Sequence, residues 1–274
     1  VSVKAGGRTV NNENFSWVKV EASRPVRLPK AVQRRIGKMD QRLAIVPFTA
    51  SAVAESIWEA LDQAAVAHGR ASLAIPGGRS PGPVLTTLAG MIEPQLRKKL
   101  SLLWLDERAV PEGHADRNDA STLAAWEEGG ALPGQVLPMP AEQPDIAAAA
   151  RLYAEQLAAA TAGQPLSACL IGIGEDGHFA SLFPDHPGLD ELDPVFVCEH
   201  SPKPPALRLS MSLPVIRAAT SKEVLVMGAA KGERIAQALE AGVQRQNPVS
   251  YLLATGARAW CDDAAMQTVG GSAT

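Results

Sequence analysis

Leu170-Ile-Gly-Ile-Gly-Glu-Asp-Gly-His-Phe-Ala-Ser-Leu-Phe-Pro184 opens apolar and turns polar within a few residues. The β-type run from Ala168 to Ile173 delivers glycines, two carboxylates and one histidine to its carboxyl end. In an open α/β sheet the crevice outside the carboxyl ends of the strands is where ligands bind. Gly172, Gly174 and Gly177 let the backbone turn sharply and approach a ligand, and histidine is the side chain best suited to proton transfer near neutrality. His178 is therefore the first candidate for chemistry. A Gly-x-Gly after a strand is common in α/β proteins, so the loop takes its meaning from the stretches around it.

Two further strand-to-loop transitions resemble it. Ser72 to Ile75 reads as a short buried strand, followed by Pro76-Gly-Gly-Arg-Ser-Pro-Gly82 and a helical run through Val84, Leu85 and Leu88. Strand, glycine loop and helix amino terminus make an anion site, because free backbone N–H groups and the helix dipole face the loop. The loop lacks the Lys-Ser/Thr ending of a nucleotide-binding P-loop, so a small phosphate suits it better than a nucleoside triphosphate. Leu102 to Leu105 is the next strand, with Asp106-Glu-Arg108 at its end, and three consecutive charges there need partners or solvent.

The remaining chain alternates in the same way. A helix is expected from Thr49 through Ala65, one from Asp119 or Ser121, and one over Ile146 to Leu157. Gly129 to Pro144 reads as a connection and Phe183 to Asp193 as loop. Strands are expected at Val195 to Cys198, Leu207 to Met211 and Val224 to Met227. Short helices follow from Ser212 and Lys231, with last elements over Pro248 to Leu253 and Asp262 to Met266. This alternation predicts an α/β fold, a mostly parallel sheet covered by helices on both faces.

Composition and charge bound the function. Of 274 residues, 46% are apolar and 20% charged, an ordinary globular balance. No apolar run is long enough to span a bilayer, and the amino terminus lacks the apolar core of a secretory signal, so no membrane partner is expected. Cys169, Cys198 and Cys261 are widely spaced without a Cys-x-x-Cys pair, which points to a reducing cytoplasm rather than a disulfide framework. Residues 1–39 carry nine Lys or Arg against Glu13 and Glu21, or +7, which leaves −10 on the remainder of a chain of net charge −3. Residues 1–38 are expected to be a basic extension, an upstream leader or a poorly ordered arm, and residues 39–274 one α/β catalytic domain. A nucleic-acid arm is the alternative reading of 1–38; no nucleic-acid partner is expected.

Pro76-Gly-Gly-Arg-Ser-Pro81, Asp106-Glu-Arg108 with Asn118, Gly172 to Pro184, and Ser201-Pro-Lys-Pro-Pro205 with Arg208 together resemble the 6-phosphogluconolactonase family, relatives of the glucosamine-6-phosphate deaminases and isomerases. Gly228-Ala-Ala-Lys231 is a shorter match, and the resemblance covers about residues 42–268. Asp-Gly-His followed by Ala-Ser-Leu-Phe-Pro is its most specific part. There are departures: Pro76 and Arg79 stand where the family usually has serine, Ser80 where it has threonine, Arg117 for a serine and Phe179 for a threonine.

The resemblance implies a Rossmann-like fold of the glucosamine-6-phosphate isomerase/deaminase type and hydrolysis of 6-phosphoglucono-1,5-lactone. It implies His178 as general base, Asp176 as its orienting carboxylate, and Arg108 for oxyanion or phosphate stabilisation, held by Asp106 and Glu107. Phosphate binding would fall to Gly77, Gly78, Arg79 and Ser80, with Arg208 and Lys231, and with Lys203 behind them. Asp106 belongs to the same substrate-binding set. No metal and no nucleotide cofactor is expected, since metal-ligand spacing and the dinucleotide glycine pattern are both missing. Ser181 lacks a nucleophile-elbow pattern. An amino-sugar-phosphate isomerase or deaminase, and a sugar-phosphate-binding regulator without turnover, are the alternatives. The sequence does not set the oligomeric state.

Overall fold

The computed structural model describes residues 44–271, so the basic extension expected over 1–38 lies outside the described residues. The apolar runs become the middle of a sheet. β2 (Ala71–Ile75) and β3 (Leu100–Trp104) are buried at every position and pair in parallel. β6 (Ala168–Gly172) lies on the other side of β2, followed outward by β9 (Ser221–Val226), β10 (Arg258–Cys261) and β1 (Ala44–Pro47), while β5 (Gln135–Leu137) closes the β3 edge. All six pairings, in the order β1-β10-β9-β6-β2-β3-β5, are parallel. A parallel sheet of this kind is covered on both faces, which is why its strands read as continuous apolar runs rather than alternating ones.

Helices flank the sheet. α1 (Ala50–His68) is capped by Thr49, whose side chain accepts from Ala52 N, and ends at Gly69 in the left-handed conformation. α2 (Gly82–Met91) leaves the loop after β2, and α3 (Pro94–Lys99) leads into β3. α4 (Asn118–Gly129) packs on α2 so closely that a Cβ on Gly129 would run into the Thr86 backbone, and Thr86 Oγ1 donates to Ala125 O across the crossing at 2.8 Å. α5 (Ile146–Thr161), α6 (Leu213–Ala218), α7 (Ala229–Ala241), α8 (Val249–Leu253) and α9 (Asp263–Gly271) complete the fold, with α7 against α9.

A second sheet departs from the expected architecture. β4 (Asp106–Arg108), β8 (Arg208–Met211) and β7 (Val195–Cys198) pair antiparallel in that order. Asp106-Glu-Arg108, read above as a charged strand end, is itself a strand because β8 supplies its ladder, with Asp106 opposite Ser210 and Arg108 opposite Arg208. β5 likewise lies inside the stretch read as a connection, and α3 and β10 were not anticipated as elements.

The site is positioned by the winding of the main sheet. From β2 the chain proceeds to β3 and β5 on one side; from β6 it proceeds to β9 and β10 on the other. The direction reverses between β2 and β6, and that reversal opens a crevice at their carboxyl ends.

Two buried polar groups hold the edges of this arrangement. β5 pairs with β3 only as far as Leu103, and Trp104 N is taken instead by the hydroxyl of Tyr153, 2.8 Å away. That hydroxyl lies 3.2 Å from the carbonyls of Trp104 and Leu137. Glu107 is fully buried and takes the place of a side-chain cap for α4, accepting from Asn118 N at 2.8 Å and Asp119 N at 3.1 Å, and also from Arg108 N at 2.7 Å. Burial pushes its carboxyl from 4.5 up to about 7, against the N–H groups of Asn118 and Arg108 and the charge of Arg117.

Tyr153→Phe leaves Trp104 N without its acceptor and is expected to cost about 1–3 kcal/mol in urea unfolding. Because Glu107 binds its proton more tightly folded than unfolded, its contribution is fully present below about 4.5 and is lost as pH rises through about 7. Glu107→Gln is expected to flatten the fall in stability between those values by up to about 3 kcal/mol. Parallel slopes for the two proteins would refute this assignment.

Candidate active site

The loop after β6 folds back on itself at once. Gly174 N donates to His178 O at 2.8 Å and Gly177 N to Gly174 O at 3.0 Å, so five residues close a tight turn. Gly177 has a φ of 82°, in the region that favours glycine, and a Cβ there would also strike Asn247 Oδ1. A Cβ on Gly174 would overlap the imidazole of His178 and the carboxylate of Asp176. The turn is held from outside by Val249 N donating to Gly177 O at 3.0 Å and by Arg234 Nε donating to Glu175 O at 2.7 Å. Asn247 Nδ2 fixes Arg234 O at 2.8 Å.

Within this turn His178 and Asp176 meet. Nδ1 of the imidazole makes a very short hydrogen bond to Asp176 Oδ1, which also accepts from His178 N at 3.3 Å. Burial works against the charged carboxylate, but the hydrogen bond and charge of His178, followed by Lys203, hold Asp176 well below the usual carboxylate range. The imidazole stacks on Phe183 with ring centres 4.6 Å apart and planes 29° apart, and the Arg208 guanidinium lies 5.5 Å from the centre of the same phenyl ring.

Facing His178 is a cleft of about 340 Å³ lined by the loop from Pro76 to Pro81, by Asp106, Arg108, Asn118, Arg208 and Lys231, and by Gly172 to Gly174. Its size suits a small ligand. Gly77, Gly78, Arg79 and Ser80 form the turn between β2 and the amino terminus of α2, where no side chain caps the helix. Gly77 sits so near Asn118 that a Cβ would occupy the space of the amide, whose Nδ2 donates to Asp106 O at 2.8 Å. Four cationic side chains, Arg79, Arg108, Arg208 and Lys231, line the cleft against the single carboxylate of Asp106.

The cations differ in how far they are already engaged. Arg79 is exposed. Arg108 donates through Nη1 to Asp116 O, while its buried Nε has no hydrogen-bond partner. Arg208 is 4% exposed and donates Nε to Pro205 O at 3.1 Å and Nη2 to Lys203 O at 3.0 Å, leaving Nη1 3.8 Å from Asp106 Oδ2. Asp106 in turn accepts from Ser181 Oγ at 2.7 Å, and Ser181 is wholly buried. Burial lowers the proton affinity of Arg208 in spite of Asp106, with Arg108 adding to it. Burial likewise lowers that of Lys231 in spite of Glu175, with Lys203 adding to it.

Of the residues singled out from the sequence, Gly77, Gly78, Arg79, Ser80, Asp106, Arg108, His178, Arg208 and Lys231 line the cleft, while Asp176 and Lys203 stand together on the Nδ1 side of the imidazole. Phe183, Arg234 and Asn247 also shape the site without having been given a role. Phe183 lies within the Ala-Ser-Leu-Phe-Pro stretch of the resemblance, and Arg234 follows Lys231 by three residues on one helix, a spacing that offered a signal; Asn247 offered none. Among the described residues no group of three or more His, Cys, Asp or Glu side chains is placed to hold a metal ion, and no helix is long and apolar enough to cross a membrane.

Comparison with known proteins gives the family and the fold. Residues 48–260 match the family model described as glucosamine-6-phosphate isomerases/6-phosphogluconolactonase. The 6-phosphogluconolactonase of Streptomyces coelicolor is 35% identical over 230 residues, 79% of this chain and 88% of that protein. The one from Synechocystis is 32% identical over 74% and 86%. Among solved structures, 6-phosphogluconolactonase from Thermotoga maritima superposes with a TM-score of 0.70 at 21% identity, covering 80% of this chain and 99% of that one. A monomeric glucosamine-6-phosphate deaminase superposes with a TM-score of 0.66 at 17% identity, covering 82% and 99%. The chain belongs to the glucosamine-6-phosphate isomerase/6-phosphogluconolactonase family.

Proposed function

We propose that this protein hydrolyses 6-phosphoglucono-1,5-lactone to 6-phosphogluconate, with His178 activating the attacking water. The observation that carries the reading is the pairing, across one crevice, of a phosphate-type loop after β2 and a His–Asp pair after β6. The relatives above 30% identity named here are 6-phosphogluconolactonases, which favours lactone hydrolysis over amino-sugar isomerisation.

The phosphate dianion sits against the backbone of Gly77 to Ser80 at the amino terminus of α2, where unpaired N–H groups favour an anion. Arg79 and Lys231 flank it, and Arg208 offers Nη1. An excess of cations in the cleft is what a chain of net charge −3 needs to hold a dianion. The anion also offsets the burial, and the neighbouring cation, that lower the proton affinity of Lys231 and Arg208.

With Nδ1–H donated to Asp176, Nε2 of His178 is the basic nitrogen. It takes a proton from water as the water oxygen bonds to C1 of the lactone, and the carbonyl oxygen becomes an oxyanion. Arg108, whose buried Nε lacks a protein acceptor, supplies a donor on that side. When the C1 to ring-oxygen bond breaks, the imidazolium returns the proton to the ring oxygen and the acid is released. Ser181 takes no covalent part, because its hydroxyl is buried and donated to Asp106. We assign the protein to a reducing cytoplasm, in keeping with the three buried free thiols Cys169, Cys198 and Cys261, and residues 39–274 to one catalytic domain.

The test is the decay of freshly generated lactone followed by NMR near neutral pH, against the spontaneous rate. Acceleration proportional to protein is expected, and His178→Ala is expected to lower kcat by about 10²–10⁴-fold with 6-phosphogluconate affinity nearly unchanged. Unaccelerated decay by folded protein would sink the reading and turn attention to amino-sugar phosphates. Lys231→Met is expected to weaken 6-phosphogluconate binding by about tenfold or more in calorimetry, with kcat changed far less than KM; a pure kcat defect would remove Lys231 from phosphate binding.

A further inference from the structure

Lys203 is a cation of the site that does not line the cleft. Its ammonium lies 3.3 Å from Asp176 Oδ2 and 3.3 Å from His178 Nδ1, on the far side of the imidazole from the basic nitrogen. Its side chain is 45% exposed, yet its backbone is held on both sides. Lys203 N donates to Ser201 Oγ at 3.3 Å, and Lys203 O accepts from Ser201 Oγ at 2.8 Å and from Arg208 Nη2 at 3.0 Å. Arg208 further gathers the carbonyls of Pro204 and Pro205, at 3.2 and 3.1 Å. Two nitrogens of that buried guanidinium are thus used to fix the turn that carries Lys203.

We infer that Lys203 is a positioning residue of the proton-transfer machinery rather than a phosphate ligand: it grips the second oxygen of Asp176 so that the first stays on His178 Nδ1. A carboxylate bonded through one oxygen can swing about its terminal torsion, which is broad for Asp. Occupying Oδ2 with an ammonium removes that freedom, because both oxygens then have fixed donors. The imidazole keeps Nδ1–H, and Nε2 is left free to face the cleft. Arg208 acts at one remove, through the backbone of residues 203–205, and thereby links the phosphate side of the cleft to the base.

This inference rests on the lactonase reading for its kinetic arm only. Lys203→Met is expected to lower kcat about tenfold, the scale of a small misplacement of a reacting group. KM and the calorimetric affinity for 6-phosphogluconate are expected to stay within about twofold, and Lys203→Arg to recover most of the lost rate. A loss of product affinity with kcat intact would make Lys203 a phosphate ligand, and no change in either would make it a surface residue; both outcomes overturn the inference. The second arm needs no turnover: in nitrogen-15-labelled protein the Nδ1–H signal of His178 is expected to be sharp in the wild type and in Lys203→Arg, and broadened or lost in Lys203→Met. An unaltered signal in Lys203→Met refutes the positioning role. If the wild type fails to accelerate lactone decay while the signal responds as expected, the function reading falls and the positioning role stands.

Discussion

The constraint on which this structure depends is that a parallel strand cannot return to its neighbour without a crossover. Each crossover places a helix over the sheet, and a chain that winds steadily in one direction leaves adjacent strand ends covered by its own connections. Here the winding runs one way from β2 and the other way from β6, so the two loops that leave their carboxyl ends part from each other. The gap between them receives Pro76 to Pro81 from one side and Gly172 to His178 from the other. The small antiparallel sheet then fits against this end, bringing Asp106, Arg108 and Arg208 on paired strands.

What fills the crevice is a set of polar groups that would be costly if any stood alone. Ser181 donates to Asp106, Asp106 faces Arg208, Arg208 lies over Phe183, and Phe183 stacks on His178. Arg117, standing where the family usually has serine, is buried against Asp119 and Glu142 and lies 3.9 Å from Glu107. A buried charge needs a paired, hydrogen-bonded setting, which Asp119 and Glu142 provide for Arg117. Four cations, Arg79, Arg108, Arg208 and Lys231, are gathered around the remaining space against the one carboxylate of Asp106.

The apolar strands were legible because burial on both faces leaves a continuous signature; Ser72 to Ile75, Ala168 to Ile173 and Val195 to Cys198 fall on observed strands to within a residue or two. Val224 to Met227 was read too late, since β9 begins at Ser221 and includes the buried Lys222 and Glu223, and Glu223 takes its partners Ser56 and Trp260 from distant parts of the sequence. β5 was hidden among prolines and glycines because its three residues owe their conformation to β3 rather than to their own pattern. The second sheet was hidden for a related reason: the ladder that makes Asp106-Glu-Arg108 a strand comes from a segment a hundred residues away. In the site, His178 and Asp176 were legible together because they are two residues apart. Arg208 and the Lys203 turn lie within five residues and were quoted as one patch, whereas the contact of Lys203 with Asp176 rests on the path of the backbone and left no local mark.

The contact between Gly77 and Asn118 carries a consequence for how such a site changes over generations. The phosphate-type loop rests against an amide that is itself tied to Asp106, as the turn at Gly174 rests against His178 and Asp176. Neither glycine can acquire a side chain while its neighbour stays in place, so the loop after β2 and the start of α4 are inherited as one unit. Arg79, an exposed side chain of the same loop, stands outside both contacts, so its exchange need not displace Asn118, His178 or Asp176.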